Sequence, residues 1–309
     1  VGSLDGANIP SNHVTVTFNV PPFTARLYRL AAGSRFPRWM TRRAQKELED
    51  FIHILEAEGV TVRRPDPMNF HARFKTPDWS SRGFCVACPR DIFLVIGSEI
   101  IETPTCWRSR YFEPYAFRRL FKEYFLKGAR WTAAPRPQLS DALFDDNFRL
   151  PERGEPIRYV INEFEPVFDA ADFVRCGKDL LVTRSNVTNA MGIEWLRRHL
   201  GGTYRIHEIE SRCRQPMHID SSLLPLAPGI DAVIMRRVDL LTTPARRLAQ
   251  LVAVAGPMFS PALAVQVLGG GLAELAGPTR ELEQRQVLYG RRFVHDLSLI
   301  HISEPTRPY

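Results

Sequence analysis

A chain of 309 residues that is 44% hydrophobic can bury one large core or two ordinary ones, and it has no run of eighteen apolar residues that would cross a membrane as a helix. Its net charge of +7 comes from 36 arginines and 5 lysines scattered among 34 acids. No block of five like charges occurs, so Arg42 and Arg43, Arg118 and Arg119, and Arg197 and Arg198 read as solvated helix faces and not as a nucleic-acid stripe. The cysteines at 85, 88, 106, 176 and 213 include one CxxC without a second, which argues against a zinc ribbon and for reduced thiols. With Val1 in place of Met and no basic-then-apolar leader, the chain is expected to be a soluble, intracellular fragment.

In chain order, Val14 to Val20 alternates well enough to predict a strand stopped by Pro21 and Pro22. A helix is predicted from Thr41 to Glu58, with Leu48, Phe51, Ile52 and Leu55 on one face and Gly59 as its stop. Val60 to Arg63 reads as a short strand, and Pro65 to Pro89 as a long polar loop, long enough to suggest that it faces a substrate. Asp91 to Pro104 is predicted to be a hairpin about Gly97, Tyr115 to Lys127 a helix, and Arg130 to Ala134 a strand. Asp172 to Arg184 repeats that hairpin about Gly177. Thr188 to Leu200, begun by Ser185 and Asn186 and stopped by Gly201, supplies its helix, and Tyr204 to Ile209 its strand. A third unit opens at His218.

One such unit cannot cover its own apolar face, so repetition predicts modules arranged about a centre. An acid opens each hairpin: Asp91, then Asp169 with Asp172, then Asp220 beside His218. Equivalent positions about an axis would converge into one acidic pocket, suited to a planar guanidinium with its five donors. In an extended segment His218 and Asp220 would share a face, and a histidine beside a carboxylate suits proton transfer. Each residue also has a structural reading: Asp91 as a turn residue, Asp172 paired with Arg175, His218 as a satisfied histidine at a strand start. Cys213, His218 and Asp220 lack metal-ligand spacing, and no metal or cofactor is expected.

Several stretches together resemble the glycine amidinotransferase family, which includes arginine:glycine and inosamine-phosphate amidinotransferases. They are GVTVRRPDP at 59–67, KTPD at 75–78, PRD at 89–91, WRSR at 107–110, FEP at 164–166, FDAADF at 168–173, GIEW at 192–195 and MHID at 217–220. The resemblance covers about residues 1–230 and implies an α/β fold, a pentein-like propeller of five ββαβ modules, here truncated and followed by a foreign C-terminal tail. It implies transfer of the amidino group of arginine to an acceptor amine, glycine first, through an amidino-cysteine with release of ornithine. His218 then matches the general acid/base, Asp169 the catalytic carboxylate, and Asp91 and Asp220 the other substrate-binding acids. A homodimer is expected of the intact protein, with no membrane or nucleic-acid partner, in the cytoplasm of a bacterium or the mitochondrion of a eukaryote. Other readings are an inosamine-phosphate acceptor, a deiminase or dihydrolase of the same fold, and a guanidinium-binding remnant.

The family's nucleophilic cysteine lies near its C-terminus after a glycine triplet, whereas here no cysteine follows Cys213 and Gly269 to Gly271 continue into Leu272. Residues 231–296 depart from the family pattern as after a frame change, and 297–309 resemble a translated sequencing adapter. The chain itself is therefore expected to be inactive.

Overall fold

The computed structural model of the chain describes residues 1–18, 20, 22–223, 240–255, 264–265, 268–269, 271–284, 288–290 and 300–302. They fall into two compact units, Val1–Pro225 and Leu226–Tyr309. The start of the first unit departs from the predicted strand. Val14–Thr17 (α1) is a single helical turn, because the His13 side chain accepts from the Thr15 N–H and the Thr17 hydroxyl donates back to the His13 carbonyl, 3.0 Å away. Side-chain bonds to the local backbone outweigh the β-branched pattern where no partner strand is at hand. A second helix, α2 (Pro22–Ala31), follows.

The long helix α3 (Arg38–Ala57) forms where it is predicted and ends by the mechanism its glycine suggests. Gly59 adopts φ +77°, its N–H reaches the Glu56 carbonyl, and the Val60 N–H reaches back to Leu55. That pairing satisfies carbonyls the helix leaves open, and it spends the Val60 N–H that a strand would need. The strand expected at 60–63 is accordingly absent. The segment expected to be a plain loop carries a small antiparallel hairpin, β1 (Arg73–Lys75) with β2 (Ser80–Arg82), whose turn is closed by Thr76 and Trp79.

A one-turn helix, α4 (Pro89–Ile92), leads into β3 (Phe93–Ile96) and β4 (Glu99–Glu102), which pair antiparallel about Gly97 at φ +59°. The helix α5 (Arg118–Leu126) crosses back, and β5 (Arg130–Ala133) joins β4 in parallel. The pattern then recurs: β6 (Phe173–Cys176) and β7 (Asp179–Val182) pair antiparallel about Gly177 at φ +64°, α6 (Ala190–Leu200) crosses, and β8 (Arg205–Glu208) lies parallel to β7. Both units are thus ββαβ, as the repeats predict.

The alternation along β3 and β4 decides what lies between the units. Phe93 and Ile100 face Phe117 and Phe121 of their own crossing segment. Leu94, Ile96 and Ile101 face outward and pack against Phe168, Phe173, Leu180, Ile193 and Leu196 of the second unit. A sheet covered on both faces reads as a continuous apolar run, and Ile92–Ile96 is one, with only Val95 of it exposed.

In the second compact unit, helices Thr243–Ala255 and Leu272–Gln284 pack through Ala245, Leu248, Leu275 and Leu282, and the strands Leu288–Gly290 and Ile300–Ile302 pair antiparallel. No helix among the described residues is long and apolar enough to cross a membrane.

Candidate active site

Three chain entries meet where the acids converge. Asp91 lies in α4, two residues before β3; Asp169 caps the 3-10 turn Ala170–Asp172 that opens β6; His218 caps the 3-10 turn Ile219–Ser221. The convergence does not come from equivalent positions, however. Counting back from the first strand of each unit, Asp91 stands two residues before Phe93, whereas Asp169 stands four before Phe173. The shape of each entry turn, not the repeat register, brings the carboxylates together.

His218 is buried, and its Nε2 lies 3.1 Å from Asp169 Oδ2 while its Nδ1 lies 4.0 Å from Asp91 Oδ1. Its backbone is left-handed, φ +55° and ψ +88°, in place of the extended segment expected from the sequence. For a residue with a Cβ that region costs about 1–2 kcal/mol, held here by Ser221, whose N–H and hydroxyl both return to the His218 carbonyl. The turn separates His218 from Asp220: the histidine goes inward to Asp169, and Asp220 faces Arg90, Nε to Oδ2 3.6 Å. The predicted shared face is therefore not formed. Burial alone would pull the His218 imidazole down, but the bond to Asp169 and the charges of Asp91, Asp169 and Asp172 outweigh it, and its pKa is raised.

Asp169 is fully buried, and its Oδ1 has no hydrogen-bond partner among the described residues. Its backbone N–H is received by the Thr188 hydroxyl at 3.2 Å, which in turn donates to Asp172 Oδ2 at 2.6 Å. Ser185 donates to the same oxygen at 2.5 Å. Asp172 is thus a support beneath Asp169; it does not pair with Arg175, whose guanidinium bonds the Val95 carbonyl. Burial pushes the Asp172 carboxyl up to about 6, against the pull of His218, Ser185 and Thr188. Ser185 and Asn186 are consumed here and on the Val160 N–H, so the cap of α6 passes to Asn189, which accepts from Gly192. The predicted helix start moves accordingly.

Sequence reasoning passed over Arg110 and Glu113, both buried in the connection from β4 to α5. Arg110 Nη1 donates to Asp91 Oδ2 at 2.8 Å and lies 4.0 Å from Asp169 Oδ2; Nε donates to Glu113 at 2.9 Å and Nη2 to the Cys88 carbonyl at 3.1 Å. The only signal was the motif at 107–110, which did not distinguish Arg110 from its neighbour Arg108, a residue that instead bonds Leu139 and Asp141. Burial drives the Glu113 carboxyl up to about 7 despite Arg110.

An imidazole between two carboxylates can hold and release a proton, and a buried carboxylate oxygen without a partner can accept a hydrogen bond from a bound cation. The thiols fit less well as nucleophiles. Cys106 is buried, touching the Asn186 carbonyl, and burial beside Asp169 pushes its thiol well up; Cys85 is buried and raised for the same reason. Cys88, Cys176 and Cys213 are exposed. No group of three or more His, Cys, Asp or Glu among the described residues is placed to hold a metal ion.

No family model matches the chain. The L-arginine:L-lysine amidinotransferase of Pseudomonas savastanoi pv. phaseolicola is 50% identical over 229 residues, 74% of this chain and 63% of that protein. The mitochondrial glycine amidinotransferase of Danio rerio is 46% identical, covering 74% and 56%. Among solved structures, SxtG, an amidinotransferase of Microseira wollei in a saxitoxin biosynthetic pathway, superposes with a TM-score of 0.71 at 55% identity over 74% of this chain and 65% of that one. The chain thus spans somewhat less than two thirds of the length of each of these relatives. With close to half or more of its residues identical to theirs over three quarters of its length, it belongs to the amidinotransferase family.

Proposed function

We propose that the chain carries the guanidinium-binding part of an amidinotransferase that uses arginine as donor. The observation that carries this reading is the buried Asp169, with Oδ2 on His218 and Oδ1 without a partner. In this reading Asp169 receives the arginine guanidinium together with Asp91, and Asp220 lies at the edge of the same site. A thiolate attacks the guanidinium carbon, the bond to the δ-nitrogen breaks, and His218 gives its proton to that leaving amine, releasing ornithine. The acceptor amine then attacks the amidino-cysteine, loses a proton to His218, and the thiolate leaves. Glycine is the acceptor the motifs suggest, and lysine is the one named in the 50%-identical relative, so these two are tested first. The two ββαβ units are two modules of a five-module ring, residues 1–230 form the family domain, and 231–309 lie outside it.

The cysteines favour a second reading of this particular chain, that it binds the guanidinium without transferring it. The two buried thiols are held protonated, and the His218 Nε2 is engaged by Asp169. Titration calorimetry of the 309-residue chain with arginine tests the site, and ornithine assay with intact-mass analysis tests the chemistry. Arginine should bind, Asp169→Asn should weaken binding by about 10- to 100-fold, the value of a charge-assisted pair, and no ornithine or amidino adduct should form. Binding that survives Asp169→Asn would sink the site assignment, and ornithine release would sink the second reading.

A further inference from the structure

The mechanism above leaves two buried charges unused, Arg110 and Glu113. Arg110 is only 4% exposed, and its fork reaches three different partners: Asp91, Glu113 and the Cys88 carbonyl. A buried guanidinium is tolerated only when its donors are matched, and a lysine could not serve three diverging acceptors from one point. The placement is informative because Arg110 and His218 share both carboxylates. Asp91 gives Oδ2 to Arg110 and turns Oδ1 toward His218 Nδ1, 4.0 Å away; Asp169 Oδ2 lies 3.1 Å from His218 Nε2 and 4.0 Å from Arg110 Nη1. Behind Arg110, Glu113 has one oxygen on the guanidinium and Oε1 buried without a partner.

We propose that Arg110 and Glu113 form a positioning pair: the Arg110 fork aims the Asp91 carboxylate at His218, and the charge of the pair sets the charge balance of the Asp91, His218 and Asp169 cluster. The inference deepens the guanidinium-binding reading and rests on it only for the effect on ligand affinity. The two carboxylates sit between an internal guanidinium and an imidazole, and Asp169 keeps its Oδ1 without a hydrogen-bond partner among the described residues. The charged and titratable groups facing His218 are Asp91, Asp169 and Asp172; those facing Arg110 are Asp91, Asp169, Glu113 and Cys88, and Cys85 faces Glu113. Removing the Arg110 charge takes a cation away from both carboxylates, which then act more fully on His218. Where Glu113 is ionised, removing its charge does the reverse, since Arg110 is then less neutralised.

The test is the titration of the His218 imidazole in the full chain, followed by NMR with histidine-specific labelling and assigned by the resonance that His218→Asn removes. Arg110→Gln should move its midpoint up, by about half a pH unit or more, and Glu113→Gln should move it down. Arg110→Lys should restore most of the titration but not arginine affinity, because it returns the charge without the fork. Arg108→Gln, outside the cluster, should move neither. A packing role alone would lower thermal stability without shifting the midpoint in opposite directions, so shifts of one sign, or none, overturn the proposal. If Arg110→Gln does not fold, the Glu113→Gln and Arg110→Lys arms decide it. If the parent chain binds no arginine, the functional reading fails while the imidazole titration still decides this one. If arginine binds normally to Arg110→Lys, the aiming role fails and the guanidinium-binding reading stands.

Discussion

The two ββαβ units share a topology and a glycine turn, but the connection that leads from the second strand into the helix is built from opposite materials. In the first unit, residues 103–117 bury ionisable groups, Arg110 and Glu113, beside the hydroxyls of Thr103, Thr105 and Ser109, and the helix begins from a 3-10 turn without a side-chain cap. In the second, residues 183–189 bury only neutral groups, Thr183, Ser185, Asn186, Thr188 and Asn189, and the helix begins on an Asn cap. The same scaffold therefore delivers charge to the site from one side and hydrogen-bonded rigidity from the other. Ions reach across several ångströms and can tune a titrating group, whereas hydroxyls and amides act only on what they touch.

The contrast predicts unequal costs. Arg110→Gln leaves Asp91 and Glu113 without their common partner and should cost about 3–5 kcal/mol, read by urea unfolding. Asn189→Ala removes bonds to Gly192 and Val167 N–H groups and to the Asn162 and Glu165 carbonyls. It should cost about 2–3 kcal/mol, and an equal or larger loss than Arg110→Gln would erase the distinction.

A pH series sharpens it further. Asp172 is raised to about 6 in the folded chain by burial, so its contribution is fully present below the unfolded value and is lost as pH rises through about 6. Between pH 4 and 7 the native chain should lose roughly 2–3 kcal/mol relative to Asp172→Asn, seen in urea midpoints, and a constant gap between the two would rule this out. His218 is likewise raised, and its contribution should fade only above the unfolded imidazole range.

The smallest effects lie at the turns. Gly177→Ala places a Cβ at φ +64° with nothing within 4 Å, an expected loss of about 1 kcal/mol. Gly97→Ala, at φ +59° and 3.3 Å from the Tyr204 hydroxyl, should cost slightly more. Equal thermal shifts would show that only the backbone conformation matters.

Much of this was legible without coordinates. The paired hairpins and their glycines follow from alternation broken by a residue that tolerates positive φ, and the stop of α3 from Gly59. Val14–Thr17 and Val60–Arg63 were misread because β-branched residues favour strands only where a neighbouring strand completes the ladder. Of the residues singled out in the sequence, the structure brings Asp91 and Asp169 to His218, but it separates Asp220 from the imidazole and pairs it with Arg90.

What the sequence by itself determined is the local grammar: the periodicities that make helices and hairpins, the glycine stops, the repeated ββαβ order and the family of the motifs. These depend on neighbours a few residues away. Only the tertiary structure decided which of 36 arginines is buried against the acids, that His218 takes a left-handed backbone, and that Thr188 and Asp172 sit beneath Asp169. A buried charge is set by partners that arrive from distant parts of the chain, here residues 88, 91, 110, 113 and 169, and no local pattern encodes which of them will meet.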